Sequence, residues 1–277
     1  MDTERSKAQI GAADGRLVAE RMVIHLEKEA RSRKLHITFV IFNADPATEA
    51  FVARKEALAA RLGVEVHKLI RTPETTDEAM EIIEELNASD TNGIVIQLPL
   101  PEGIDANAVL AAIDPELDVD VLGPEMIRRF KEGETERVPP VAAAVEEILK
   151  YYKVPLEGKS VVVLGRGRLV GEPVGMLFER EGIPFTFIDK NTENSEILRL
   201  LARADIIISG IGVPHFLKPD MIKDGVVLID AGTSSDQGKL AGDVDPSCVE
   251  KASLMTPVPG GVGPVTVAAL FRNLFLK

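Results

Sequence analysis

A chain of 277 residues exceeds the usual ~100–200-residue domain and predicts two domains. Its 45% hydrophobic and 27% charged residues, with a mean hydropathy of +0.08, support packed cores and exclude wholesale disorder. The 32 Lys and Arg against 44 Asp and Glu give a net charge of -12, opposite to the footprint of a phosphate-backbone binder, so nucleic acid is not expected as a partner. Cys248 is the single cysteine, which precludes an intrachain disulfide or a thiolate cluster and fits a reducing cytoplasm. The opening residues lack the basic-then-apolar plan of an export signal, and no stretch reaches the ~18 apolar residues of a membrane span. The expectation is a cytoplasmic protein with no membrane partner.

Along the chain, helical stripes alternate with short β-branched runs, the pattern of an α/β protein built from βα units. Leu17, Val18, Met22 and Leu26 form a helical stripe, and residues 35–42 (LHITFVIF) read as a buried strand. A helix from about Thr48 through Phe51, Lys55 and Leu58 to Leu62 stops at Gly63. A strand follows over 64–69, a helix over 77–86 and a strand over 93–97 (GIVIQ), which Pro99 and Pro101 end by removing backbone donors. Between Asp114 and Pro140 the pattern breaks into an acidic stretch, a charged helix-like piece and Val138-Pro139-Pro140, where a domain boundary is placed. Residues 1–138 are read as the first domain and 139–256 as the second. Strands are expected at 160–164, 184–188, 205–209 and 226–230, and a helix over 263–276 that packs back on another part of the molecule.

The second series opens with VVVLGRGRLVGEPVGMLF, which sets Gly165, Gly167 and Gly171 between a strand and a helix. In that context one glycine permits a tight turn, another lets backbone approach a pyrophosphate, and the helix N-terminus offers unpaired N–H groups. The spacing is GxGxxxG, and a plain strand-turn-helix corner with no ligand remains open. At the end of the next strand Asp189 favours a free ribose 2′-hydroxyl, whereas Lys190, Arg166 and Arg168 favour a 2′-phosphate. Asp189 reads equally well as a solvated turn residue.

Three further segments carry a resemblance: DPATEAFVARK (45–55), GIVIQLPLP (93–101) and TPVPGGVGPVTVAAL (256–270). With the glycine loop GRGRLVGEP and the strand end IDAGT (229–233), they resemble the bifunctional methylenetetrahydrofolate dehydrogenase/methenyltetrahydrofolate cyclohydrolase family, in order and over nearly the whole chain. The resemblance implies an N-terminal α/β folate domain, a C-terminal Rossmann-like parallel-sheet domain binding NADP (alternatively NAD), a final segment 257–277 returning to the first domain, and a homodimer. It places Lys55 on the family's catalytic lysine, Gln97 on the glutamine that contacts it and Asp120 on a pterin-binding aspartate. Phe51, Pro259, Gly260 and Gly261 fall on the folate side. Gly165, Arg166, Gly167, Gly171, Lys190 and Thr233 fall on the cofactor side.

The departures are specific. The family's Tyr-x-x-x-Lys is Phe51 to Lys55 here, its DVDG-Phe reads DVDVL with Val121 and Leu122, and its Pro-Cys-Thr-Pro is Arg137-Val138-Pro139-Pro140. The only tyrosines, Tyr151 and Tyr152, lie beyond the first predicted domain.

Phe51 and Lys55, four apart on a helix, project from one face. Hydride loss from the methylene carbon of 5,10-methylenetetrahydrofolate leaves a cation shared by two nitrogens, so oxidation needs positioning more than a protein base. Hydrolysis of that methenyl cation moves protons, which suits a lysine tuned downward by burial, and neutral Gln97 can hold the amine without fixing it as an ammonium. On pattern alone Lys55 reads as a solvated helix lysine, and Asp120, after Asp114, Glu116 and Asp118, as part of a solvated acidic linker. Four scattered histidines predict no metal site, and Cys248 reads as a packing residue. Two alternatives stay open: a dehydrogenase with weakened or lost hydrolysis, and a nucleotide-binding regulator without turnover.

Overall fold

The computed structural model describes residues 11–43, 46–236 and 239–276. In chain order the first half contains β1 (Gly11–Ala12), α1 (Gly15–Ala30), β2 (His36–Ile41), α2 (Pro46–Leu62), β3 (Glu65–Ile70), α3 (Thr76–Asn87), β4 (Gly93–Ile96), α4 (Ala106–Ala111), α5 (Pro124–Glu132) and α6 (Pro140–Tyr151). The second half contains β5 (Val161–Leu164), α7 (Gly171–Arg180), β6 (Thr186–Ile188), α8 (Asn194–Leu201), β7 (Ile206–Ser209), β8 (Val227–Asp230), β9 (Ser234–Asp236), β10 (Lys239–Ala241), β11 (Leu254–Met255) and α9 (Val262–Phe275). No helix among the described residues is long and apolar enough to cross a membrane. Asp45, the first residue of the DPATEAFVARK motif, lies outside the described residues.

The chain forms two compact units: residues 21–140 with 267–276, and residues 11–20 with 141–266. The first is built on a parallel sheet ordered β3-β2-β4, in which central β2 and neighbouring β4 are buried along nearly their whole length while edge strand β3 is mostly exposed. Continuous apolar runs such as ITFVI and GIVI are what a sheet covered on both faces requires. Helix α3 shows how local chemistry sets the ends: the Thr75 hydroxyl accepts the Glu78 amide at 3.1 Å, and the Glu78 carboxylate accepts the Glu74 amide at 2.7 Å. Its Ala79, Ile83 and Leu86 then bury one stripe against Val40, Ile94 and Ile96.

The second unit carries a six-stranded sheet ordered β1-β11-β8-β7-β5-β6, parallel at every pairing. Strand β5 is followed in sequence by β6 on one side, and β7 lies on its other side, which makes the carboxyl ends of β5 and β7 a topological switch point. Cys248 is buried in this core and burial pushes its thiol up to about 11, consistent with packing. Strand β1 pairs with β11, so residues 11–12 join the sheet of the second series rather than the first-domain strands that sequence order suggests. Two-residue strands are too short to carry a periodic signal. Pro140, read as part of a boundary, is the first residue of α6, where a missing amide donor costs nothing.

Candidate active site

In the three-stranded unit, α2 lies beside β2 and directs Lys55 across it, with the amine 5.7 Å from the centre of the Phe39 ring. The peptide of Gln97, just past β4, donates to Val40 O at 2.9 Å, so the residue is fixed before Pro99 ends the strand. Lys55 Nζ donates to Gln97 Oε1 at 3.2 Å. Gln97 is 7% exposed, and its Nε2 is buried without a hydrogen-bond partner, a donor group left for something outside the chain. Burial lowers the pKa of Lys55, and the negative charge of Asp120 partly offsets it. Burial raises that of Asp120, with Lys55 opposing. Lys55 and Gln97 are therefore brought into contact, and Asp120 lies near enough for its charge to act on the amine. Phe51 stands one turn before Lys55, half-buried, with the Arg54 guanidinium 5.5 Å from its ring centre.

Asp120 sits on a loop held from several sides. Ile94 N donates to Leu117 O at 2.8 Å, and the buried Asn273 of α9 donates to Val119 O at 2.9 Å and Val138 O at 2.8 Å. The guanidinium of Arg137, 6% exposed, donates to Pro115 O at 3.2 Å and Glu116 O at 2.8 Å. Asp118 is not the solvated linker residue that its acidic neighbours suggest. Only 1% exposed, it accepts the amides of Leu122 at 3.1 Å and Gly123 at 2.7 Å, and burial pushes its carboxyl up to about 6 although those amides favour the charged form. Between them Val121 has φ of +56°, a left-handed conformation that a β-branched side chain disfavours by ~1–2 kcal/mol. A DxD pair with a glycine expected next was the only sequence signal for this clamp.

In the six-stranded unit, Gly165 ends β5 with φ of +97°, and Gly171 opens α7 against it. A Cβ on Gly171 would lie 2.7 Å from the Gly165 carbonyl carbon and 3.0 Å from Arg166 Cα, whereas one on Gly167 would meet nothing within 4 Å. The loop is thus packed backbone to backbone on one side and open on the other. No side chain caps the α7 N-terminus. These features at the switch point fit a pyrophosphate, and with it a bound dinucleotide. Arg166 is exposed, its guanidinium 5.0 Å from the Phe187 ring centre of β6, and Lys190 is exposed just beyond that strand. Asp189 accepts the Asn191 amide at 2.8 Å and closes the turn, which favours its reading as a turn residue. Thr233 is exposed after β8. Beside it two buried carboxylates tie the strand ends together. Asp230 accepts the amides of Gly232, Asp243 and Val244 at 2.9, 3.1 and 2.9 Å, and Asp243 accepts the Ser209 hydroxyl and the Ile211 amide, both at 2.8 Å. Pro259, Gly260 and Gly261 form a turn in this same unit, with Gly260 at φ of +108° accepting the Gly15 amide at 3.0 Å.

Residues 13–120 match the catalytic domain of tetrahydrofolate dehydrogenase/cyclohydrolase, and residues 139–277 match the NAD(P)-binding domain of the same enzymes. The chain belongs to the tetrahydrofolate dehydrogenase/cyclohydrolase family. It is 40% identical to the bifunctional protein FolD of Exiguobacterium sibiricum, over 94% of this chain and 96% of that protein. Among solved structures it is similar to the N5,N10-methylenetetrahydrofolate dehydrogenase-cyclohydrolase of Trypanosoma brucei complexed with NADP cofactor and an inhibitor, at 33% identity, TM-score 0.88 and 95% coverage of each chain. It is also similar to a 5,10-methylenetetrahydrofolate dehydrogenase from the silkworm, Bombyx mori, at 32% identity, TM-score 0.89 and 95% and 96% coverage. Against the family pattern, Phe51 provides a ring without a hydroxyl, and Val121 keeps a left-handed backbone where a glycine is usual.

Proposed function

We propose that this chain oxidises 5,10-methylenetetrahydrofolate to 5,10-methenyltetrahydrofolate with NADP+ and hydrolyses the methenyl product to 10-formyltetrahydrofolate. The observation that carries the reading is the enclosed Lys55 amine, hydrogen-bonded to a glutamine whose second amide atom is unpartnered and opposed by the charge of Asp120, in a member of this family.

Gly165, Gly167, Gly171 and the N-terminus of α7 would hold the pyrophosphate, with Thr233 beside the strand ends. Arg166 and Lys190 favour NADP+ over NAD+ through a 2′-phosphate, because Asp189 already spends its carboxylate on the turn at Asn191. NADP+ supplies the hydride acceptor. Asp120 pairs with the amino and ring N–H donors of the pterin, and the Phe51 ring lines the folate.

In the hydrolytic step water adds to the methenyl carbon, the bond from that carbon to N5 breaks as the carbonyl forms, one of the water's protons passes to N5, and the other leaves to solvent with the charge of the cation. Lys55 serves that transfer. Burial lowers its pKa and so eases access to the neutral amine, which can take a proton and return it, and Gln97 holds its Nζ in place. Phe51 adds a second reading. With no hydroxyl one turn from the amine, hydrolysis runs slower than oxidation, which makes this enzyme primarily a dehydrogenase. The single buried cysteine suits a reducing compartment, and the family likeness supports a homodimer in the cytoplasm.

The test is purified protein with 5,10-methylenetetrahydrofolate and NADP+. NADPH formation with conversion of the methenyl intermediate onward supports both activities, and accumulation of the intermediate supports the second reading. Verified folded protein that forms no NADPH across pH and cofactor concentration refutes the proposal.

A further inference from the structure

We propose that Asp118 is a positioning residue for folate binding: by gathering the amides of Leu122 and Gly123 it holds Val121 in the left-handed conformation that directs Asp120 towards Lys55. The inference rests on the proposed function, since it assigns the folate to the Lys55, Gln97 and Asp120 group.

The loop has little freedom elsewhere. Leu117 is tied to β4, Val119 to Asn273, and the carbonyls of Pro115 and Glu116 to Arg137. Only the stretch after Asp120 must find its own direction, and there the chain has Val121, a residue that does not adopt φ of +56° unaided. A glycine would take that conformation without penalty. The Asp118 carboxylate compensates: at 3.1 and 2.7 Å from the Leu122 and Gly123 amides, in a site 1% exposed, it makes charge-assisted bonds that set the peptides on the far side of Val121. Without that carboxylate the buried Leu122 and Gly123 amides lose their acceptor, and the peptides after Val121 lose the geometry it enforces. Here that geometry sets the two-residue link, Val121 and Leu122, between Asp120 and the α5 N-terminus at Gly123 and Pro124.

Coupling between the side chains at 118 and 121 is therefore expected, which a purely structural role for Asp118 does not require. Asp118→Asn, Val121→Gly and the double variant are compared with wild type in four quantities: the folate-substrate KM, the NADP+ KM, kcat and Tm. Asp118→Asn is expected to raise the folate KM about tenfold or more while the NADP+ KM stays within about twofold. Val121→Gly alone is expected to keep the folate KM within about threefold, and in the double variant glycine is expected to recover most of the loss, because it reaches the left-handed conformation without the clamp. A fall in Tm with an unchanged folate KM overturns the proposal, as does a double variant no better than Asp118→Asn. If Asp118→Asn does not fold, the double variant decides: folded with a folate KM near that of Val121→Gly it supports the proposal, and unfolded or equally impaired it overturns it. Wild-type turnover separates this proposal from the proposed function: with it present these outcomes bear on Asp118 alone, and with neither turnover nor binding of tetrahydrofolate both fall.

Discussion

Gly171→Ala and Gly167→Ala each add a single methyl group to the same loop and are expected to part in stability. At Gly171 the new Cβ would sit 2.7 Å from the Gly165 carbonyl carbon and 3.0 Å from Arg166 Cα, against ordinary carbon contacts of ~3.5–4 Å. The Gly165 carbonyl oxygen lies closer still, and all of these neighbours are backbone that cannot rotate away, so the loop must retreat by about 1 Å, at ~1–3 kcal/mol of overpacking. The displaced strand end is the one that would carry the cofactor, and a shift of that size commonly costs ~10²-fold. The expected result for Gly171→Ala is a Tm lower by several degrees and an NADP+ KM raised ~10²-fold. Gly167 has open space and no positive φ, so alanine there leaves Tm level or slightly higher. That same methyl, set on the open side proposed for the pyrophosphate, is expected to raise the NADP+ KM with no loss of Tm. Thermal melts and initial rates at saturating folate measure both quantities. A Gly171→Ala protein with wild-type Tm and an NADP+ KM within about twofold would refute the reasoning.

Phe51→Tyr is expected to speed hydrolysis relative to oxidation, by up to the ~10²–10⁴-fold that a positioned proton-transfer group supplies; an unchanged ratio with intact folate affinity removes Phe51 as the limiting feature. Arg166→Ala with Lys190→Ser should lower the NADP+ to NAD+ ratio of kcat/KM at least about tenfold, and no change means that the 2′-phosphate is recognised elsewhere. Asp230 gives a pH test. Burial pushes its carboxyl up to about 6, so the native state binds its proton more tightly than the unfolded chain, and that stability is present at low pH and lost as pH rises from about 4 through 6. Relative to Asp230→Asn, wild type should lose up to ~3 kcal/mol of unfolding free energy between pH 4 and 7 in urea titrations, and a pH-independent difference contradicts the assignment.

The parallel strands were legible because both-face burial leaves unbroken apolar runs: ITFVI, GIVI, VVVL and IIIS each fall within two residues of where the sequence places them. The glycine loop was legible because a strand and a helix flank it. What escaped was whatever depends on tertiary partners. Asp118 stands among Asp114, Glu116 and Asp120 and reads as solvated, yet its surroundings are set by amides four and five residues on and by a bridge to Ile94. Asn273 lies on a helix read only for its apolar face, and its amide reaches Val119 from 154 residues away. Arg137 looked like a loss of the family motif, whereas it supplies donors to two carbonyls of the Asp120 loop. The β1–β11 pairing joins segments more than 240 residues apart through two residues each, below any periodic signal.

Lys55 is assigned to proton movement in hydrolysis and not to hydride departure, and every other role in the site is arranged around it. The direct measurement is the ratio of 10-formyltetrahydrofolate to NADPH produced from 5,10-methylenetetrahydrofolate by wild type and by Lys55→Met, with methenyltetrahydrofolate followed by its absorbance in the same reaction. Wild type should convert the intermediate onward, while Lys55→Met keeps part of the NADPH production and loses at least ~10²-fold of enzymatic hydrolysis, so that the intermediate accumulates. A Lys55→Met enzyme that still hydrolyses at the wild-type rate, or that loses both reactions equally with folate bound, contradicts the assignment.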